Sequence, residues 1–337
     1  MAKRRLTRRQ QWRIKKVQEE RVKRSEARAA HLQQSIEDNQ LGPELTGLVI
    51  AHYGTQIDVE ALEEGHNGAS RRCHLRANLE PVVTGDRVVW RSIDDREGVV
   101  VAVAERRSVL ARPDSSGQLR PVAANIDRIF VVIAPHPLTA PGLIDRYLVA
   151  AETISVRPIL LVNKADLIDN NDSPISELTT LYRNIGYQVI LTSTQSERGL
   201  TALKQELVQH TSIFVGQSGV GKSSLINSLL PGTDLRTAAV SEATGKGTHT
   251  TTTARLFHLP DGGDIIDSPG IREFGLEHIS LEELERGFIE FRPFLGQCRF
   301  RNCRHSNEPG CALQQAVADG KIDSRRLASY QNIAASL

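Results

Sequence analysis

Short runs in which apolar and polar positions alternate, separated by turn-forming residues, fill the chain from about residue 46 to 104. They predict strands at 46–51, 56–61, 70–77, 86–93 and 98–104. Five short strands in about sixty residues point to a small closed barrel of the OB type. After a connector at 106–121 the pattern changes. Mostly apolar runs at 126–134, 157–162, 188–192 and 211–215 alternate with segments of helical period at 142–154, 176–185 and 200–209. Continuous apolar strands are buried on both faces, so this is the rhythm of a parallel sheet covered by helices. One more strand is expected at 254–259. Beyond residue 282 strands cease, and a helical segment leads into a cysteine cluster and a final helix from about 312.

The first 40 residues fit none of these patterns. Residues 1–30 hold twelve Lys or Arg against three Glu, whereas the remainder holds thirty basic and thirty-seven acidic residues. A polycationic arm on a mildly acidic body predicts a polyanionic partner, with the arm disordered until that partner binds. The expected divisions are a basic arm at 1–42, an OB-fold at 43–106, a nucleotide-binding α/β domain at 107–280 and a small helical domain at 281–337. No stretch reaches the ~18–20 apolar residues of a membrane span, and the basic N-terminus lacks an apolar signal segment. A cytoplasmic protein is expected, and a monomer.

The sharpest chemical signal is Gly216-Gln217-Ser218-Gly219-Val220-Gly221-Lys222-Ser223, which follows an apolar strand and precedes the helix-like run that begins at Ser224. This is the P-loop pattern in its required strand-to-helix context. Glycines let backbone N–H groups wrap the phosphates, Lys222 reaches the β and γ oxygens, and Ser223 offers a ligand to Mg²⁺. Downstream, Asp267-Ser-Pro-Gly270 closes another strand. Asp267 can hold the same Mg²⁺, and the Gly270 N–H can sense the γ-phosphate. Between the two lies a polar, glycine-spaced loop with Thr250 and Thr251, either of which could supply a hydroxyl to the metal; Thr251 is the first choice.

Asn163-Lys164-Ala165-Asp166 follows the strand at 157–162. The Asp166 carboxylate can accept both N1–H and the 2-amino group of guanine, a pair that adenine cannot offer. Thr192 and Ser193 form a plausible backing loop for that base. The base-reading segment precedes the phosphate loop, the reverse of the usual order, so the domain reads as a circularly permuted P-loop GTPase.

Isoleucine occupies position 271, where many GTPases carry a water-orienting glutamine, so hydrolysis by the chain alone should be slow. His249 is the candidate to take that role. Cys298, Cys303, His305 and Cys311 supply three thiols and an imidazole within fourteen residues, a donor set for tetrahedral structural Zn²⁺ with no open position. Arg292, Arg299, Arg301 and Arg304 crowd the same segment and suit RNA phosphate. Cys73 reads as a small buried hydrophobe.

Taken together, basic arm, barrel, permuted motifs and Cys-rich tail resemble the RsgA, or YjeQ, family of ribosome small-subunit-dependent GTPases. The resemblance is closest over 216–227, 247–252 and 267–270, and extends to the Cys-x₄-Cys-x-His-x₅-Cys spacing. It implies late maturation of the small ribosomal subunit through contact with its rRNA, with GTP hydrolysis stimulated by the subunit and linked to release. It also implies a histidine at the place of His249. The competing expectation is an RNA-binding module in which a guanine nucleotide is only structural.

Overall fold

A computed structural model of the chain describes residues 41–63, 68–76, 79–114, 117–168, 173–195, 197–231, 254–267, 276 and 279–337. The predicted basic arm lies outside the described residues. So do His249, Thr250, Thr251, Gly270 and Ile271.

The barrel comprises β1 (Glu44–His52), β2 (Gln56–Ala61), β3 (Ser70–Leu75), β4 (Arg87–Ser92) and β5 (Glu97–Val103). Its strands run in the order β1-β2-β3-β5-β4, and β4 pairs back onto β1 to close it. Alternation drives this: in β2 every second residue is buried, and Val49, Ile57, Val59, Val88 and Val100 meet inside around Trp90. Trp90 is 1% exposed, so it fills the core and is not a stacking platform. Cys73 is fully buried there, its thiol pushed up to about 12 chiefly by desolvation.

The segment expected as a connector is instead a hairpin, β6 (Val109–Pro113) with β7 (Leu119–Ala124). Pro113, Gly117 and Pro121 made it look like a turn-rich linker. Proline is tolerated here because the pair forms a separate two-stranded sheet, where a missing ladder donor costs little.

Six further strands follow: β8 (Arg128–Ile133), β9 (Arg157–Val162), β10 (Gln188–Leu191), β11 (Thr211–Val215), β12 (Arg255–His258) and β13 (Asp264–Asp267). Their order is β10-β9-β8-β11-β13-β12, parallel except for β12, and β12 joins β1 so that barrel and sheet are continuous. Both faces are covered. Ile129, Val131 and Ile133 of β8 face one layer, with α1 (Pro141–Thr153) and α2 (Pro174–Ile185). Phe130 and Val132 face the other, with α3 (Thr201–Leu207) and α4 (Lys222–Leu229). Helix α2 has the expected punctuation: the Ser173 side chain accepts from Ser176 N–H, Pro174 opens the helix and Gly186 closes it in the left-handed region.

The C-terminal part is helical: α5 (Leu281–Gly287), a 3₁₀ turn (Ile289–Phe294), α6 (Ala312–Ala318) and α7 (Ser324–Ala334). The single final helix expected from 312 is thus two, separated at Gly320 (φ 72°), with Asp323 capping the second. Phe288, Phe291 and Tyr330 form its core together with Val149 and Ala150 of α1. Across this junction Arg326, 1% exposed, meets Asp145 of α1 and Glu290, the latter at 2.6 Å, and lies 4.4 Å over the Phe288 ring.

Candidate nucleotide site and metal centre

The parallel strands β8, β9, β10, β11 and β13 all end on one edge of the sheet, the edge where ligands bind in open α/β folds. Strand β11 ends at Val215 and the loop 216–221 turns into α4 at Lys222. Two glycines are dictated by space and by backbone angle. A Cβ on Gly216 (φ 141°) would stand 2.3 Å from the Val132 carbonyl oxygen, and one on Gly221 (φ 96°) would stand 2.3 Å from Asn163 Nδ2. Val220 is wholly buried, while Ser218, Gly219, Ser223 and Ser224 are exposed, leaving the rim of the loop and the first turn of α4 open to a ligand. Lys222 Nζ donates to the carbonyls of Gly216 (2.5 Å) and Gln217 (2.8 Å), so the ammonium lies over the loop.

The segment Asn163–Asp166 is tied to this loop by two bonds. Asn163 Nδ2 donates to the Val220 carbonyl at 2.8 Å, and Lys164 Nζ donates to the Gly219 carbonyl at 2.8 Å and to that of His136 at the same distance. Lys164 adopts a left-handed φ of 58°, which starts the single 3₁₀ turn that holds Ala165 and Asp166. Asn163 is buried and its Oδ1 has no protein partner, an acceptor desolvated without compensation and therefore suited to a ligand donor.

Asp166 stands exposed at the tip, its Oδ1 accepting from the Ser193 hydroxyl. The Thr192 carbonyl accepts from Ala165 N–H at 3.0 Å, and the Thr192 hydroxyl donates to the Gly199 carbonyl at 2.7 Å. Thr192 and Ser193 therefore back the turn at Asn163–Asp166. Gly199 was not anticipated: a Cβ there would lie 2.5 Å from the Ser193 carbonyl oxygen, and nothing in its local sequence distinguishes it from an ordinary turn glycine.

Asp267 ends β13 beside β11, whose Ile213 pairs with Ile266, so its carboxylate lies at the same edge as the start of the phosphate loop. Among the described residues, the edge thus brings together Asn163–Asp166, Thr192–Ser193, Gly216–Ser224 and Asp267.

The second centre is in the C-terminal part. Ligand atoms of Cys298, Cys303, His305 and Cys311 lie within 4.8 Å of one another, with His305 Nδ1 at 3.5, 3.6 and 3.2 Å from the three sulfurs in that order. Desolvation first, and the neighbouring thiols after it, push the Cys303 thiol up to about 12 against a lowering backbone N–H. Three sulfurs with one nitrogen fit tetrahedral Zn²⁺. The free His305 Nε2 meets Glu285 Oε1 at 3.2 Å, which also accepts from the Tyr330 hydroxyl at 3.2 Å. This carboxylate–imidazole pair fixes the ring with Nδ1 turned to the sulfurs. Glu285 was not singled out from sequence, since Leu-Glu-Glu-Leu-Glu reads as an ordinary amphipathic helix. Of the four arginines, Arg292 is committed to Glu152 at 2.7 Å, whereas Arg299, Arg301 and Arg304 are exposed.

Known proteins fit this geometry. The family described as RsgA GTPase matches residues 103–277. The protein named small ribosomal subunit biogenesis GTPase RsgA of Ectopseudomonas mendocina is 57% identical over 338 residues, covering 100% of this chain and 98% of that protein. The Pseudomonas aeruginosa protein of the same name is also 57% identical over 338 residues. Among solved structures, YjeQ from Thermotoga maritima superposes with a TM-score of 0.72 at 32% identity, over 88% of this chain and 99% of that one. YloQ, titled a circularly permuted GTPase, gives 0.70 at 31% identity, over 87% and 95%. Among the described residues no helix is long and apolar enough to cross a membrane. With a sheet whose middle strand carries the phosphate loop yet comes fourth along the chain, and with relatives of this identity over its whole length, the chain belongs to the RsgA family of circularly permuted GTPases.

Proposed function

We propose that the chain is a cytoplasmic, monomeric maturation factor of the small ribosomal subunit that hydrolyses GTP to GDP and phosphate when bound to that subunit and is released as a result. The observation that supports the nucleotide part is the direct bonding of Asn163 and Lys164 to the Val220 and Gly219 carbonyls, an arrangement that suits a guanine reader beside a phosphate cradle. The ribosomal part rests on the names of relatives 57% identical over the full chain. The basic arm at 1–42, the barrel at 43–106 and the helical unit at 281–337 would hold rRNA around the GTPase unit at 107–280.

In this reading Asp166 selects guanine, backed by Thr192 and Ser193. Backbone N–H groups of 216–221 and the first turn of α4, from Lys222 to Ser224, hold the phosphates. Ser223, Asp267 and Thr251, with Thr250 as the alternative, would hold Mg²⁺, whose charge would offset that of the phosphates. Gly270 senses the γ-phosphate. His249 orients the attacking water, the role that Ile271 cannot fill, and Lys222 stabilises charge on the leaving group. Cys298, Cys303, His305 and Cys311 hold one structural Zn²⁺ that shapes the loop bearing Arg299, Arg301 and Arg304.

Steady-state GTP hydrolysis with purified small subunits, large subunits or free RNA tests this. Stimulation by small subunits alone, lost in Lys222→Ala and His249→Ala, is the expected result. No turnover even with small subunits would leave the nucleotide as a structural ligand of an RNA-binding protein.

A further inference from the structure

Strand β12 is four residues long, and the barrel holds it at both ends. At the first end Ala51 of β1 pairs with Arg255, and the fully buried Thr84 donates its hydroxyl to the Ala254 carbonyl at 2.9 Å. At the last end His258 sits between two carboxylates, Nδ1 2.7 Å from Asp264 of β13 and Nε2 2.8 Å from Glu60 of β2. The other edge of β12 pairs with β13, so that Arg255 faces Asp267 and His258 faces Asp264. One row therefore runs from Ala51 through Arg255 to Asp267. The proposed Mg²⁺ carboxylate stands two strand spacings, roughly 10 Å, from the barrel.

An isolated surface ion pair couples little. This arrangement differs because the protonated ring uses both N–H groups on carboxylates from two different structural units, and because Leu48 and Ile50 of β1 pack into the core beneath α1 and α2. A shift of β12 against β1 would break bonds at both ends at once. The strand pair that ends in Asp267 is thus fastened to the barrel more firmly than one shared backbone pairing would achieve.

We propose that Glu60 and His258, with Thr84 at the opposite end of β12, are positioning residues that couple the barrel to the GTPase site: movement of β13 with nucleotide state is passed to β1 and β2, and a polyanion held by the barrel biases Asp267 in return. The coupling rests on the GTPase reading and is reciprocal by linkage. It does not require that the polyanion be a ribosomal subunit.

Amide hydrogen exchange of the full chain, compared with GDP and with a non-hydrolysable GTP analogue, reads this without any ribosome. Strands β1 and β2 in the unaltered protein should differ about five-fold in exchange between the two nucleotides, the lower end of ordinary site-to-site coupling. Glu60→Leu and His258→Leu should bring that to below about two-fold with GDP affinity unchanged, while Glu60→Gln, which still accepts from Nε2, keeps most of it. Thr84→Val, nearly isosteric, should also reduce the difference and serves if either leucine variant fails to fold. No nucleotide-dependent change in β1 and β2, or an undiminished one in Glu60→Leu and Thr84→Val, would overturn the coupling. Failure of small subunits to stimulate turnover would remove the ribosomal reading and leave this result standing or falling separately.

Discussion

Replacing Arg326 by methionine should loosen the junction between the C-terminal helices and the GTPase sheet. The guanidinium is 1% exposed and neutralises Asp145, also 1% exposed, and Glu290 at 2.6 Å. Removing it leaves two carboxylates desolvated with no cation. Breaking a buried pair in this way costs about 3–5 kcal/mol. The Tyr182 hydroxyl, 2.6 Å from Asp145, still donates to that carboxylate, which places the cost at the lower end, about 3 kcal/mol. For a cooperative unit of this size the melting midpoint should fall by about 6–12 °C. Calorimetry with a double-mutant cycle against Asp145→Asn is the assay, since the asparagine keeps an acceptor for Tyr182 while removing the charge. A coupling of at least ~1 kcal/mol is expected, and replacing Glu290 by leucine as well should recover stability. A single-variant loss below about 1 kcal/mol, or additive losses, would show that the cluster is not held by charge.

Gly221→Ala forces a Cβ to 2.3 Å from Asn163 Nδ2 at a φ of 96°, so GDP binding by titration calorimetry should weaken about 10- to 100-fold, and the strain of about 1–3 kcal/mol should lower the melting midpoint as well. Glu285→Gln should lower Zn²⁺ affinity about 10- to 100-fold, read by competition with a chromophoric chelator, because it weakens the partner of His305 Nε2. Full chelation should melt the C-terminal helices by circular dichroism and leave the fluorescence of buried Trp90 in place. His258 is raised from 6.5 to about 9, first by Asp264 and, despite desolvation, also by Glu60. Its contribution is therefore complete below pH 6.5 and lost as pH rises through about 9. With the ring half exposed, screening reduces that contribution to about 1 kcal/mol, and His258→Gln should flatten the stability profile between pH 7 and 10 by that amount.

The motifs were legible wherever they were local. The phosphate loop, Asn163–Asp166 and the Cys–His cluster each announce themselves within fourteen residues, and their order alone gave the permutation. The barrel strands were legible because alternation is a backbone property. What stayed hidden depends on distant partners. Arg326 and Asp145 are separated by 181 positions, and Glu60 and His258 by 198. Arg292 looked like one more phosphate-binding arginine until Glu152 claimed it. The hairpin β6–β7 was missed for a different reason: its prolines are breakers in a large sheet and harmless in a sheet of two strands.

The permuted strand order also bears on how the chain is made. Synthesis delivers β8, β9 and β10 first, yet β11, the strand that carries the phosphate loop, must then be laid between β8 and β13. Until residue 267 has emerged, β11 has a neighbour on one side only, and its open edge can pair with other chains. Because Asn163 and Lys164 donate to the Val220 and Gly219 carbonyls, the turn at 163–166 gains its final hold only after the loop at 216–221 has followed it. A product that stops before residue 267 therefore carries an unpaired strand edge and is a misfolding hazard.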